Sequence, residues 1–216
     1  MCEVDHLIIC TDFGAPEAER LIAFGLTEGA PNVHPGQGTA NRRFFFHNVY
    51  LELLWVSDPQ DAQSNLVRPT QLWPRWSQRR SGMSPFGVCL RSTRPEGEGL
   101  PFPGWEYRPP YWPFPRGIHV RDGVSLSEPW WVYIGPGRRS DDPGRARRQP
   151  LKHGVGLREV THIRFTSPRL KSSSAHAVAG VVLDPGPEHL LELTFDNGLQ
   201  GGNVDFRPDL PLVFRW

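Results

Sequence analysis

The chain has 216 residues with a formal net charge of +1 at pH 7, and 38% of the residues are hydrophobic and 11% aromatic. These values are typical of a globular protein with one substantial core or two small tandem units, and they exclude a disordered chain. The 23 prolines and 22 glycines indicate many turns and short strands and argue against a helical bundle. The charge gives no global attraction to nucleic acid or acidic membranes, so neither is expected as a partner.

The three cysteines, Cys2, Cys10 and Cys89, lack the close spacing of metal fingers or redox motifs. Cys10 and Cys89 lie in apolar runs, where a small buried thiol is the ordinary interpretation. The chain enters a strand-like segment at Glu3 without a charged-then-apolar leader, and no apolar run approaches about 18 residues. A cytoplasmic protein is therefore expected.

Residues 1–56 predict a first module of the βαβββ type. A strand rich in branched residues covers 3–11, and a helix follows from about Pro16 to Leu26, with Gly29 suited to its end. Within this helix, small or apolar residues recur at i, i+3, i+4 and i+7, which places them on one face. A glycine-bearing turn at 34–41 then leads into strands near 42–47 and 49–56.

The rest of the chain predicts four further segments. Residues 57–85 are interpreted as a connecting loop with one helical turn, and 86–134 as a proline-rich, degenerate second module of short strands. Residues 135–156 are a linker whose arginines alternate with aspartates, which favours a solvated loop over a nucleic-acid contact. Residues 157–216 form a C-terminal β-rich module, with a short helix candidate from Ser174 to Val182.

One carboxylate, Glu52, interrupts an otherwise apolar strand. A buried carboxylate is costly unless it is paired, hydrogen-bonded or bound to a metal, so Glu52 requires an explanation. Because strand residues alternate between faces, Tyr50 and Leu54 share the inner face with Glu52, and Leu51 and Leu53 lie outward. The same alternation, applied to the first strand, places Val4, Ile8 and Cys10 on the face of His6 and places Leu7 and Ile9 on the opposite face.

Imidazole and carboxylate together are typical ligands of divalent Zn, Fe, Ni or Mn ions. His6 and Glu52 are therefore candidate metal ligands, and the competing interpretation is that each is a hydrogen-bonded structural residue. A partial internal repeat supplies a second pair. Glu159–Thr166 can be aligned with Glu3–Cys10, and Leu190–Leu193 resembles Tyr50–Leu53, which adds His162 and Glu192 as candidate ligands.

Three motifs together resemble the glyoxalase-like proteins of the vicinal oxygen chelate superfamily. They are Asp5-His6-Leu7, the turn His34-Pro-Gly-Gln-Gly-Thr-Ala-Asn41, and Tyr50-Leu-Glu-Leu53. The resemblance implies an α+β fold in which βαβββ modules form a curved mixed sheet, or half-barrel, around a cavity. It also implies that 157–216 is the additional C-terminal unit of this glyoxalase-like branch.

The resemblance further implies that a divalent metal is held by residues on the first and last strands of each module. In the first module these are His6 and Glu52. If 86–134 is the partner module, the corresponding places hold roughly Gly87 and Tyr133, and the ligand set is incomplete. If 157–216 is the partner, His162 and Glu192 complete a set of two histidines and two glutamates. The resemblance favours the first pairing and the internal repeat favours the second.

Other residues are candidates for binding a ligand. In the turn, His34, Thr39 and Asn41 offer donors and acceptors near a cavity mouth, and the alternative is a turn that only fixes the next strand. The aromatic residues of the second module, including Tyr107, Trp130 and Tyr133, are either core residues or the wall of a pocket. With Arg91 and Arg108, such a pocket would suit an aromatic or carboxylate-bearing ligand.

Two functions follow as expectations. The first is a glyoxalase-like protein that acts on a small organic molecule, with Glu52 and His34 as catalytic residues and a metal, if bound, stabilising an enediolate or similar oxyanion. Such an enzyme would be a metal-dependent lyase, isomerase or dioxygenase. The alternative is a metal-free protein of the same fold that sequesters a planar ligand, and a third option is an interaction module whose groove is filled. Paired modules complete a barrel within one chain or in a homodimer.

Overall fold

The computed structural model describes residues 2–94, 99–144, 148–170, 174–175 and 181–216. These residues form two packed β-sheets and a few short helices, so the fold is mostly β. The strands of the first sheet are β1 (Cys2–Cys10), β2 (Asn32–His34), β3 (Thr39–Phe45), β4 (Tyr50–Val56), β5 (Phe86–Ser92), β6 (Gly104–Tyr107), β7 (Ile118–Arg121) and β8 (Trp130–Pro136). The helices are α1 (Ala18–Phe24), α2 (Pro59–Ala62) and α3 (Leu72–Ser77).

The first sheet is the predicted curved half-barrel. Its strand order is β2-β3-β4-β1-β5-β8-β7-β6, with β1 parallel to β4, β5 parallel to β8, and β1 antiparallel to β5. Counted from the centre outward, each four-strand half contains its own first, fourth, third and second strand, in that order. The strands of 86–136 therefore share a sheet with the first module.

The second sheet contains β9 (Val160–Ser167), β10 (Ser174–Ala175), β11 (Val181–Pro185), β12 (Leu190–Phe195), β13 (Asn203–Asp205) and β14 (Leu212–Arg215). The predicted C-terminal β-rich unit is thus confirmed. The helix candidate at 174–182 is wrong at its described ends, which are strands, and its residues 176–180 lie outside the described residues. Branched Val181, Val182 and Leu183 pair with β9, and this pairing overrides the local helical pattern.

A continuous apolar core joins the two sheets. The outer face of the first sheet, including Leu7, Ile9 and Leu53, packs against residues of the second sheet such as Phe195 and Phe214. The Phe86 and Phe165 rings lie 5.3 Å apart, and the Phe46 and Phe195 rings 4.7 Å apart. The second sheet therefore covers the face that α1 alone leaves open.

Helix α1 forms as predicted, but it ends earlier than Gly29. Ala18 and Leu21 are fully buried against the core. Gly25 takes a left-handed conformation with φ of 108°, and its N–H group bonds the carbonyls of Ile22 and Leu21. A glycine in this conformation is the usual end of a helix, because it has no Cβ to clash.

The described residues of the two segments between modules make specific contacts across the fold. In 57–85, the Asp58 carboxylate caps α2 by accepting from Gln60 N, and Arg75, buried in α3, donates to Glu128 O at 2.5 Å and Ser125 O at 3.1 Å. In 135–156, the His153 ring lies 3.0 Å from both Thr27 N and Phe45 O. The contacts of both segments therefore connect parts of the fold that are distant in sequence.

The alternation of faces holds along β4 and along β1 from His6 onward. Ile8 and Leu54 belong to an inner cluster, and Leu7, Ile9, Leu51 and Leu53 belong to the outer core. Val4, however, lies in the outer core and not on the face of His6. The pairing of β1 with β5 shifts between Val4 and His6, so Asp5 is an extra residue in a β-bulge and the alternation changes phase there.

Within the described residues, no helix is long and apolar enough to cross a membrane.

The turn at 34–41 is held by a glycine that has no room for a side chain. Gly38 has φ of 72°, and a Cβ there would lie 2.2 Å from Asp58 O. Gly123 has a similar φ of 67°, but a Cβ added to it would have no neighbouring atom within 4 Å.

We expect Gly38→Ala to lower the free energy of unfolding by about 2–4 kcal/mol, from the left-handed backbone and the overpacking together. Gly123→Ala should cost about 1–2 kcal/mol, from the backbone alone. Urea denaturation of both variants measures the difference, and equal losses would contradict the crowding at Gly38.

Candidate functional site

The inner face of the half-barrel encloses a cavity of about 120 Å³. Its first-module wall is polar, with His6 on β1, His34 on β2, Asn41 and Arg43 on β3, and Glu52 on β4. Its second-module wall is mainly apolar and includes Trp112, Ile118, Trp130, Val132 and Ile134. A site of this kind orients a small ligand with a few polar groups and encloses it with apolar surface.

Glu52 is the centre of the polar wall and is only 4% exposed. Its Oε1 accepts a hydrogen bond from Asn41 Nδ2 at 2.7 Å, and its Oε2 lies 3.3 Å from His6 Nε2. Asn41 is held in turn, because its Oδ1 accepts from Asn32 N at 2.8 Å. The buried carboxylate therefore has a hydrogen bond to one oxygen and an ion-pair contact with His6 at the other, which offset the cost of its burial.

Asp5 continues this chain behind His6. Its Oδ1 lies 2.8 Å from His6 Nδ1, and its Oδ2 accepts from Arg91 at 3.2 Å. Arg91 also donates to Glu3 Oε2 at 2.8 Å and to Asn48 O at 3.0 Å. Arg91 was predicted to contact the ligand, but it lies outside the cavity wall and fixes Asp5.

These contacts shift the pKa values of Asp5 and His6. Burial opposes ionisation of Asp5, but the His6 hydrogen bond and the charges of His6 and Arg91 outweigh it and lower the pKa of Asp5. Burial also disfavours a charged His6, but Cys89, Asp5 and Glu52 favour it, and the pKa of His6 is raised well above its usual value. These shifts favour a charged His6 between the carboxylates of Asp5 and Glu52.

The turn at 34–41 forms the rim of the cavity. His34 Nδ1 and Gln37 Nε2 both lie 2.8 Å from Thr39 Oγ1. The Tyr111 ring stacks on the His34 ring at 4.7 Å, and its hydroxyl donates to Gln37 Oε1 at 3.3 Å. Burial, with the charges of Arg43 and His6, lowers the pKa of His34, so this imidazole is neutral at pH 7. The second module thus closes over the rim of the first.

The predicted metal ligands are only partly brought together. The 3.3 Å separation of His6 Nε2 and Glu52 Oε2 suits two ligands of one ion, since ligands about 2.1 Å from a tetrahedral ion lie about 3.4 Å apart. Asp5, His6 and Cys89 also bring ligand atoms within 4.8 Å of one another. However, among the described residues the second module presents no imidazole or carboxylate to the cavity, and burial raises the pKa of the Cys89 thiol. The residues present therefore do not complete the expected set of two histidines and two glutamates.

His162 and Glu192 lie in the second sheet and do not line the cavity. His162 is exposed, and Glu192 accepts from Arg164 at 2.5 Å and from Arg215 at 2.7 Å. Burial opposes ionisation of Glu192, but these two arginines outweigh it and lower its pKa. The strand of Glu192 is antiparallel to β9, whereas the strand of Glu52 is parallel to β1, so the sequence repeat paired strands with different places in their sheets.

Of the other predicted ligand contacts, Asn41 and Trp130 line the cavity and three residues do not. Arg108 is exposed and pairs with Glu106 at 2.5 Å. Tyr107 is 1% exposed within the inner apolar cluster, and Tyr133 lies in the outer core. Tyr133 points away from the cavity because it alternates with Val132 and Ile134, which take the inner face of β8.

Three residues were missed as wall or support residues: Asp5, Arg43 and Cys89. Arg43 could have been found from alternation, because it follows Asn41 by two residues on one strand. Cys89 could have been found only from its pairing with His6 in the β1–β5 register. The role of Asp5 depends on a bulge, which no sequence periodicity reports. Tyr111, one of the aromatic residues of the second module expected to line a pocket, does line the cavity.

The half-barrel carries a carboxylate and an imidazole on its inner face, as the resemblance to glyoxalase-like proteins implied. Residues 4–98 match the family described as "Glyoxalase-like domain", so the chain carries such a domain over that segment. The resemblance inferred from the motifs is confirmed there. No curated protein matches the sequence.

Solved structures support the fold over the whole chain. One is described as a hypothetical protein from Staphylococcus aureus, which is similar with a TM-score of 0.53 and 11% identity, over 100% of this chain and 99% of that one. At this identity the likeness concerns the fold alone.

The charge of the buried histidines can be tested directly. In protein treated with a chelator, we expect the His6 ring to titrate above its ordinary pKa of about 6.5, and the rings of His34 and His153 to titrate below it. The stability that His6 contributes is fully present below about pH 6.5 and is lost as the pH rises through its raised folded-state pKa. For His153 the sign is opposite, and stability is lost as the pH falls. Imidazole NMR titration, assigned with His6→Gln, His34→Gln and His153→Gln, measures all three rings. A His6 ring that titrates below pH 6.5 would contradict the predicted charge of His6.

Proposed function

We propose that this protein acts on a small organic molecule bound in the half-barrel cavity, with Glu52 as the base that takes a proton from the ligand. The observation that carries this proposal is the Glu52 carboxylate itself, buried, facing the cavity and held by Asn41 and His6. A carboxylate held in this way keeps its geometry when a ligand enters, which is what a general base requires.

His6 has a complementary role in the proposal. Its charged ring offers an Nε2–H beside Glu52, and Asp5 and Arg91 fix the ring from behind. A fixed cationic donor stabilises negative charge that develops on a ligand oxygen as a proton leaves the adjacent carbon. A pair of this kind supports isomerisation or elimination next to a carbonyl group. Neutral His34, on the rim, supplies a second position for exchanging a proton with the ligand.

The proposed reaction does not use a divalent metal, because the described residues do not complete the expected set of two histidines and two glutamates. We expect protein dialysed against a chelator to retain ligand binding, and metal analysis to give equal, substoichiometric metal in the wild-type protein and in His6→Ala. Glu192→Ala serves as a control outside the cavity. One equivalent of metal in the wild type that is lost in His6→Ala would instead establish His6 as a metal ligand.

Proton transfer can be tested by incorporation of deuterium from solvent. We expect the wild-type protein to accelerate exchange of the C–H protons beside the carbonyl of some members of a panel of small ketones, hydroxyketones and 2-oxo acids. Glu52→Gln should reduce this acceleration by about 100-fold or more, because it removes the base and keeps the size of the side chain. The control is Glu106→Gln, an exposed carboxylate outside the cavity. NMR follows the exchange, and rates equal to buffer across the panel would contradict the proposal.

The alternative function is sequestration of a planar ligand without chemistry. The specific observation in its favour is the aromatic wall formed by Tyr111, Trp112 and Trp130. Ligands that raise the melting temperature of both the wild type and Glu52→Gln, without any exchange in either, would support this second function.

A further inference from the structure

Arg43 is a cation in the cavity wall whose guanidinium has no carboxylate partner among the described residues. Its Nε donates to Ala30 O at 2.8 Å, and its Nη2 lies 3.4 Å from Pro31 O. Its guanidinium carbon lies 5.2 Å from the centre of the Phe45 ring and 5.8 Å from that of Tyr50. Arg43 is therefore held in place by carbonyls and rings, and its charge is not neutralised by these contacts.

The neighbouring charged residues each have an oppositely charged partner, whereas Arg43 has none among the described residues. Arg42, on the opposite face of β3, pairs with Glu28 at 2.6 Å and Glu19 at 2.8 Å. Asp5 is paired with His6 and Arg91, and Glu52 with His6. An anionic ligand would thus find in Arg43 a positively charged group whose charge is still available.

Trp130 lies on the opposite wall of the cavity. It lines the cavity on β8 and is 7% exposed. Its indole Nε1 is buried and has no hydrogen-bond partner in the described part of the chain. Because this nitrogen is itself inaccessible to solvent, Trp130 offers a ligand its aromatic surface and not its N–H group.

We propose that the cavity recognises a small organic carboxylate, with the Arg43 guanidinium as the donor to its oxygens. A carboxylate is acceptor-only and planar, so it matches the planar guanidinium fork better than a neutral carbonyl does. The cavity of about 120 Å³ limits the enclosed part of the ligand to a small molecule. This inference rests on the proposed function because it names the substrate class of the same cavity.

The test compares carboxylates with neutral analogues of the same shape. Isothermal titration calorimetry measures binding of benzoate against benzamide, and of pyruvate against pyruvamide. We expect the wild type to bind at least one carboxylate more than tenfold more tightly than its amide. Arg43→Gln should weaken carboxylate binding by roughly 10- to 100-fold and leave amide binding unchanged, as expected for a lost hydrogen bond to a charged group.

Three further variants separate recognition from net charge and from folding. Arg43→Lys keeps the charge but loses the fork, so it should retain only part of the preference. Trp130→Phe keeps an aromatic ring in the opposite wall, so it should retain the preference for carboxylates. Arg108→Gln removes the same charge from an exposed position outside the cavity and should bind as the wild type does. Melting temperatures establish that each variant is folded.

The outcomes decide between the two proposals. Equal binding of carboxylates and amides, an unchanged preference in folded Arg43→Gln, or no binding of either carboxylate would overturn carboxylate recognition. If deuterium exchange that depends on Glu52 is found but carboxylates bind no more tightly than their amides, the proposed function stands while this inference fails. If carboxylates bind through Arg43 but no ligand exchanges protons, recognition stands while proton transfer fails.

Discussion

The burial of Glu52 is the constraint on which the site depends. A carboxylate that is 4% exposed among apolar strands requires partners, and the half-barrel supplies them from two neighbouring strands, Asn41 on β3 and His6 on β1. His6 in turn requires Asp5, and Asp5 requires Arg91 from β5 of the second module. The first module alone cannot supply this series of contacts, because the partner of Asp5, Arg91, comes from the other half of the sheet.

The β-bulge at Asp5 makes the chain of contacts possible. In a regular strand, Asp5 and His6 would point to opposite faces, and the carboxylate could not reach Nδ1 of the neighbouring ring so readily. The extra residue opposite β5 changes the phase of alternation, which leaves Val4 in the outer core while His6 faces the cavity and Asp5 still contacts its ring. Bulges commonly re-aim side chains next to active sites, and this one aligns a carboxylate, an imidazole and a second carboxylate.

The second sheet repeats the central topology of the first. Its order, β10-β11-β9-β12-β14-β13, has the same parallel and antiparallel pairings as the six central strands of the half-barrel. By this correspondence β9 matches β1, as the repeat of Glu159–Thr166 indicated, but β12 matches β5 and not β4. The place of Glu52 then falls at Val182 on β11, which explains why the described strands of the second sheet hold no counterpart of the His6–Glu52 pair.

The sequence by itself determined the strands of the first module, the inward direction of Glu52 and the resemblance to glyoxalase-like proteins, because alternation and turn residues are local signals. Alternation along β3 also places Arg43 on the same face as Asn41. Only the tertiary structure decided that 86–136 shares the sheet with the first module, that Arg91 supports Asp5, and that Tyr133 faces away from the cavity. These outcomes depend on register, on a bulge and on strand order, which arise from pairing between distant segments and leave no periodicity in the chain.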